Sequence, residues 1–166
     1  MPNDLVIDLE TLDTRKSAIV LSAGLIVFDR DTLEKRDERY WEFSIISQIA
    51  EGRTLSRETQ EWWIRENQCE LDRLMRSGTR YIRRLIQDLL VYPRSTRVWS
   101  RGCMDFHIIQ DLTDSHFYYN SHRDCRTLDS LGFHMEHKNN HHALEDVRNE
   151  WEQVRKAMEV ARNATV

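Results

Sequence analysis

Two prolines and five glycines are all that punctuate the 166 residues. The chain also has no repeat, no low-complexity tract and no linker-like stretch, so one domain over residues 1–166 is expected. Cysteine is scarce as well. Cys69, Cys103 and Cys125 are odd in number and widely spaced, which argues against a disulfide framework and fits a reducing compartment. No apolar run approaches the ~20 residues that a membrane helix needs. The basic segment and apolar core of a signal peptide are missing too, since Asp4 and Asp8 bracket only three apolar residues. The cytoplasm is the expected location, with no membrane partner. Nor is there a basic excess. A formal charge of -4 does not announce a nucleic-acid binder. It does not exclude one either, because divalent cations would offset clustered carboxylates. The densest basic stretch, Arg73, Arg76, Arg80, Arg83 and Arg84, reads as a solvated helix face rather than a phosphate track.

Apolar residues make up 40% of the chain and charged residues 31%, enough for a core and a solvated surface. Leu5 to Leu9 reads as a short buried strand. Ala18 to Phe28 reads as a second, with Ser22, Ala23 and Gly24 permitting close approach or a bulge. Tyr40, Glu42 and Ser44 alternate with Trp41, Phe43 and Ile45, the period of a third strand over Arg39 to Ile45. Short connections suggest an antiparallel meander. Ser56, with Thr59 and Glu61, offers helix-start chemistry before Trp62 and Trp63. Helical stretches continue over Cys69 to Met75 and Tyr81 to Leu90, broken at Ser77-Gly78 and ended by Pro93. Val98-Trp99 predicts a short strand, Asp105 to Leu112 a helix, His116 to Tyr119 a further strand and Thr127 to Leu131 a helical turn. Ala143, Val147, Trp151, Val154, Met158 and Ala161 give the last helix its apolar stripe. The order predicts an α/β fold with a mixed five-stranded sheet, an antiparallel meander followed by parallel strands, flanked by helices.

Three short pieces carry chemistry. Asp8 and Glu10 stand two apart at the end of an apolar run, so on a strand both carboxylates share one face. Alone, such a pair is common on protein surfaces. Asp105 follows the Val98-Trp99 strand and a turn through Gly102, where the helix dipole already favours an acid; strand carboxyl ends are also where sites are built in α/β folds. Asp146 lies beside the packed stripe of the last helix, five residues after His141. By itself His141 reads as a helix cap or a surface residue, but its reference pKa suits it to take a proton from an attacking water. Paired acids, distant acids and a histidine are the set that a two-metal phosphodiester hydrolase requires, and hard cations such as magnesium want oxygen ligands.

Together these pieces resemble the DEDDh 3'-5' exonucleases of the RNase H-like fold. Their Asp-x-Glu-Thr motif is matched by Asp8, Leu9, Glu10 and Thr11. Their His-x4-Asp motif is matched by His141 to Asp146, with Ala143-Leu144 also as in the family. The second motif, usually Asn-x-x-Phe-Asp, stands here as Arg101-Gly102-Cys103-Met104-Asp105, with Arg101 and Met104 departing from the pattern. Asp8 to Thr14, Ala18 to Gly24, Thr59-Gln60-Glu61-Trp62-Trp63 and Arg126-Thr127-Leu128 further resemble a phage and bacterial branch that includes adenylate-preferring exoribonucleases. The likeness spans about Leu5 to Val147. It implies two Mg2+ or Mn2+ ions held by Asp8, Glu10, Asp105 and Asp146, with His141 as general base. The implied substrate is the 3' end of single-stranded RNA or DNA, and the implied product a nucleoside 5'-monophosphate. A homodimer is compatible with several relatives. Thr11 is expected at the terminal sugar or phosphate, Leu12 against the terminal base, and Trp63 stacked on a base. Trp62 and Trp63 point in different directions on a helix, so one of the two belongs to the core. The rivals are a nucleic-acid-binding module on the same fold without turnover, and an interaction protein with zinc bound by His134, His137, His141 and His142.

Overall fold

The computed structural model describes residues 2–135 and 141–164. Its strands are β1 (Asn3–Thr11), β2 (Val20–Asp29), β3 (Lys35–Glu42), β4 (Val98–Ser100) and β5 (His122–Asp124), ordered β3-β2-β1-β4-β5 in one sheet. The first three form the antiparallel meander, while β4 pairs parallel with β1 and β5 parallel with β4. Around the sheet lie α1 (Ile45–Ala50), α2 (Arg57–Ser77), α3 (Arg83–Leu90), α4 (Met104–Leu112), α5 (Arg126–Ser130) and α6 (Ala143–Asn163). This is the mixed α/β sheet that the sequence predicts. No described helix is long and apolar enough to cross a membrane.

The pleat of β1 decides where chemistry can sit. Leu5, Ile7 and Leu9 pack on one side with Ile82, Leu85 and Leu89 of α3 and with Phe106, Ile108 and Ile109 of α4. Val6 packs on the other side with Val147, Trp151 and Val154 of α6. Asp8 and Glu10 continue the Val6 face and therefore point toward α6. A third cluster joins Leu12, Ile19 and Leu21 to Trp63, Leu71 and Leu74 of α2. The register slips between Glu10 and Thr11, so the strand is irregular where it reaches the site. The strand order reverses beside β1, with β2 and β3 on one side and β4 and β5 on the other, and the carboxyl ends of the parallel β1 and β4 border the site.

Some elements differ from the sequence pattern. The alternation over Arg39 to Ile45 overruns the strand: β3 ends at Glu42, and Ser44 instead caps α1 by accepting a hydrogen bond from the Ser47 backbone. A capping serine inside an alternating run looks like one more strand residue. Residues 116–119 do not form the fifth strand. Their backbone is engaged by other partners, with Arg94 Nε donating to the His116 carbonyl and Gln110 Nε2 to the Phe117 carbonyl, each at 2.8 Å. The edge strand is His122–Asp124, three polar residues without an apolar signal. Helix α2 is broken at Asn67 (φ -158°, ψ 69°), whose Oδ1 accepts from the Glu70 backbone and starts the second half. The arginine stretch is largely ion-paired, Arg73 with Glu42 and Glu70 and Arg84 with Asp88, as a solvated face would be.

Gly24 sits directly opposite Asp8 in the β1–β2 ladder. A Cβ built there would land on the Ala143 carbonyl and lie 2.8 Å from Val147 Cγ1. The first turn of α6 thus rests on bare backbone, and this contact sets the height of Asp146 above the strand. Gly24→Ala should destabilise the protein by about 1–3 kcal/mol, the usual range for overpacking. Urea unfolding should show this as a lower midpoint at unchanged slope.

Candidate active site

Three carboxylates from the two ends of the chain meet. Ligand oxygens of Asp8, Glu10 and Asp146 all lie within 4.8 Å of one another. Strand β1 supplies the first two from one face, and the first turn of α6 supplies the third. Glu10 is 8% exposed. Asp8 Oδ2 is buried without a hydrogen-bond partner.

Asp105 enters from the turn after β4. Gly102 adopts φ +88°, a backbone conformation that a side chain would strain. The turn is tied on every side. The Ser100 hydroxyl donates to the Gly102 carbonyl at 2.9 Å, and the Gly102 amide donates to Asp124 Oδ1 at 2.9 Å. Arg101 binds Asp129 at 2.8 Å, and Gln153 of α6 holds the other oxygen of the same carboxylate at 2.7 Å. The turn delivers Asp105 to the first turn of α4, 4% exposed, with Oδ1 buried and unpartnered. Asp105 lies close enough to Asp8 and Glu10 for its charge to act on both.

His141 and His142 face different ways. His141, at φ +49°, presents its ring edge-on to Trp62 (4.7 Å between centroids) and Trp63 (5.8 Å). His142 precedes the first residue of α6 without a side-chain capping bond, and its ring stacks on Tyr40 at 4.9 Å. The zinc alternative needs these rings to converge; His134 is exposed, and His137 lies outside the described residues. Among the described residues, the cluster able to hold a metal is the acidic one.

A cavity of about 690 Å³ opens beside Glu10, lined among others by Thr11, Arg15, Glu58, Trp62, Trp63 and Met104. The expected substrate contacts stand differently toward it. Trp63 is the core member of the pair, 1% exposed, with its indole N–H donating to the Thr11 carbonyl at 2.8 Å. Trp62 is the half-buried one and has a ring available to the cavity. Leu12 is 4% exposed, packs under α2 and is not part of the lining. Thr11 does line it, although its hydroxyl already donates to the Asp13 carbonyl at 2.8 Å. Met104, in the place of the family's usual phenylalanine, also faces this cavity.

The chain matches the family described as the 3'-5' exoribonuclease Rv2179c-like domain over residues 3–158. It belongs to that family. No curated protein matches the sequence. Among solved structures, a 3'-exonuclease described in the 3'-end-specific recognition of a histone mRNA stem-loop aligns with TM-score 0.58 and 13% identity, over 95% of this chain and 81% of that one. The nuclease domain of 3'hExo, a DEDDh family member bound to rAMP, aligns at 0.55 and 12%, over 95% and 92%. E. coli Exonuclease I in complex with a dT13 oligonucleotide aligns at 0.63 and 14%, over 94% of this chain and 41% of that one. At these identities the likeness establishes the RNase H-like exonuclease fold, and family membership makes the protein a hydrolytic 3'-5' exonuclease.

Divalent metals are general in this group, and the orphaned oxygens of Asp8 and Asp105 fit them: buried oxygens without a proton donor call for a cation. Electrostatics agree. Burial, then the neighbouring acids Glu10, Glu150, Asp105 and Asp146, push Asp8 well above the carboxylate range. Burial and the charges of Asp146 and Asp105 do the same to Glu10. Burial raises Asp105 to about 8, against a modest lowering by Arg126. Asp146 is raised to about 6 by burial, offset in part by a backbone hydrogen bond at His142. A fifth acid, Glu150, is 1% exposed in the same cluster and was not anticipated from sequence. Its spacing from Asp146, one helical turn, was the available signal.

A sign follows for stability without metal. Carboxylates raised in the folded state contribute stability that is complete below their unfolded pKa, about 4. That contribution is lost as pH rises through about 6 for Asp146 and about 8 for Asp105. Asp13 and Asp29, lowered to about 2 by hydrogen bonds to Arg15 and to Thr32 and Arg36, contribute fully above pH ~4 and do not oppose the trend. Burial lowers His122 and His141, which opposes it only in mild acid. In EDTA the melting temperature should therefore fall between about pH 7 and 9, and saturating Mn2+ should remove the fall. A melting temperature in EDTA that rises over this interval would contradict the buried-acid account.

Proposed function

We propose that the protein removes nucleotides one at a time from the 3' end of single-stranded RNA and releases nucleoside 5'-monophosphates. Asp8, Glu10, Asp105 and Asp146 hold two divalent cations, Mg2+ or Mn2+, and His141 acts as general base. The observation that carries this reading is the convergence of Asp8, Glu10 and Asp146 within 4.8 Å beside a cavity of about 690 Å³. The family's description as exoribonucleases supports RNA as the strand.

When bound, the cations supply positive charge across the scissile phosphate and make water nucleophilic at neutral pH. The chain's own groups do the rest. Trp62 offers its ring to the terminal base, a contact tolerant of base identity. Trp63, fixed by its bond to the Thr11 carbonyl, keeps that wall rigid. Thr11 stands at the sugar, its hydroxyl oxygen still able to accept. Burial against Trp62 and Trp63 depresses the His141 pKa, so the ring is neutral at pH 7 and has a nitrogen free to accept the proton of the attacking water.

The direct test is digestion of matched 5'-labelled single-stranded RNA and DNA with Mg2+, Mn2+ or EDTA, beside Asp146→Ala. The expected result is a ladder shortening from the 3' end, faster on RNA and abolished by EDTA and by the substitution. Binding without any ladder would favour the module that has lost turnover. For His141→Ala at saturating Mn2+, kcat should drop by about 10²–10⁴-fold, the span of general-base contributions, and the acid limb of its pH profile should disappear. An unchanged profile would remove His141 from the chemistry.

A further inference from the structure

Glu150 lies one turn beyond Asp146 on the inner side of α6, between the core residues Val147 and Trp151. It is 1% exposed, and its Oε2 is buried with no hydrogen-bond partner. The charges that act on it are those of Asp105, Arg101, Asp146 and Asp124, and Glu150 in turn acts on Asp8. It is therefore lodged among the acids, on the Asp105 side.

A structural carboxylate in such a place would be bonded. Leaving a buried charge unpaired is costly, and a glutamine of the same shape would avoid that cost. Arg101 is the cation whose field reaches Glu150, yet among the described residues no hydrogen bond or ion pair joins the two. Arg101 spends Nη2 on Asp129 and leaves Nη1 buried and unpartnered. Arg101 also stands where the family's second motif usually has asparagine. Two divalent cations balance four carboxylates; a fifth leaves one negative charge over, and the Arg101 guanidinium, shared with Asp129, offsets part of it.

We infer that Glu150 is a fifth acidic member of the cation-holding cluster, a positioning residue that tightens cation binding on the Asp105 side, with Arg101 offsetting part of its charge. The inference rests on the two-cation reading above. It adds a residue from outside the three sequence motifs and gives a reason for the arginine in the second one.

Metal binding itself is the readout. In calorimetric titrations with Mn2+, wild type should bind two ions, and Glu150→Gln should bind the weaker of them about 10–100-fold less tightly, the range seen when supporting groups of metal sites are removed. Glu150→Asp, which keeps the charge, should retain most of the affinity. Metal-free melting curves control for folding: Glu150→Gln should melt at or above wild type, because one buried acid is gone, while its stabilisation by Mn2+ shrinks. If Glu150→Gln does not fold, the loss is read from Glu150→Ala in the same titration. Two ions bound with wild-type affinity by a folded variant would overturn the role of Glu150 and leave the two-cation site standing. A wild-type protein that binds no Mn2+, like Asp8→Ala, would instead overturn the two-cation reading beneath it.

Discussion

Carboxylates that repel one another are held together here where little water reaches them, and the surrounding fold is what prevents them from separating. β1 is the central strand, buried on both faces, so Asp8 and Glu10 cannot turn away without dragging an apolar strand through the core. α6 cannot lift, because Val147, Trp151 and Val154 are packed beneath it and Phe28 meets the Trp151 ring at 4.5 Å. The β4–α4 turn cannot swing, because Asp124, Asp129 and Gln153 tie it to the neighbouring elements. Burial energy from three apolar clusters thus opposes repulsion in one polar one. This is a common arrangement for a site that must be preorganised for cations rather than assembled by them.

Much of this was legible in the sequence because the informative signals are local. Alternation in β1 put two acids on one face, and the stripe from Ala143 to Ala161 put Asp146 beside the core. The meander and the closing helix carried clear hydrophobic periods. What the sequence concealed were choices made by tertiary packing. Which tryptophan is fixed in the core and which is left half-buried is decided by which indole N–H can reach the Thr11 carbonyl, a partner some fifty positions away. Leu12 points inward because α2 needs Leu12, Ile19 and Leu21 as its floor. The edge strand His122–Asp124 has no apolar residue to betray it, and only its ladder to β4 defines it. Glu150 looks in sequence like one more charge on a charged helix; burial alone distinguishes it.

The departures in the second motif also gain a physical place. Met104 exchanges a rigid ring for a flexible thioether on the cavity wall, which adapts to ligands of varied shape. Arg101 exchanges a short amide for a long cation that reaches Asp129, and its guanidinium ties the motif to α5 while standing within the field of Glu150. Both residues belong to the turn that carries Asp105, so the position of that acid depends on them.

The docking of α6 on Gly24 has a consequence for synthesis. Asp8 and Glu10 leave the ribosome well over a hundred residues before Asp146 does. Before α6 settles on the bare backbone of β2, the β1 acids are solvated, ordinary in their titration and spaced for no cation. The first strand and the last helix must therefore both be in place before the acids can converge, and the site exists only once the helix has closed over the sheet.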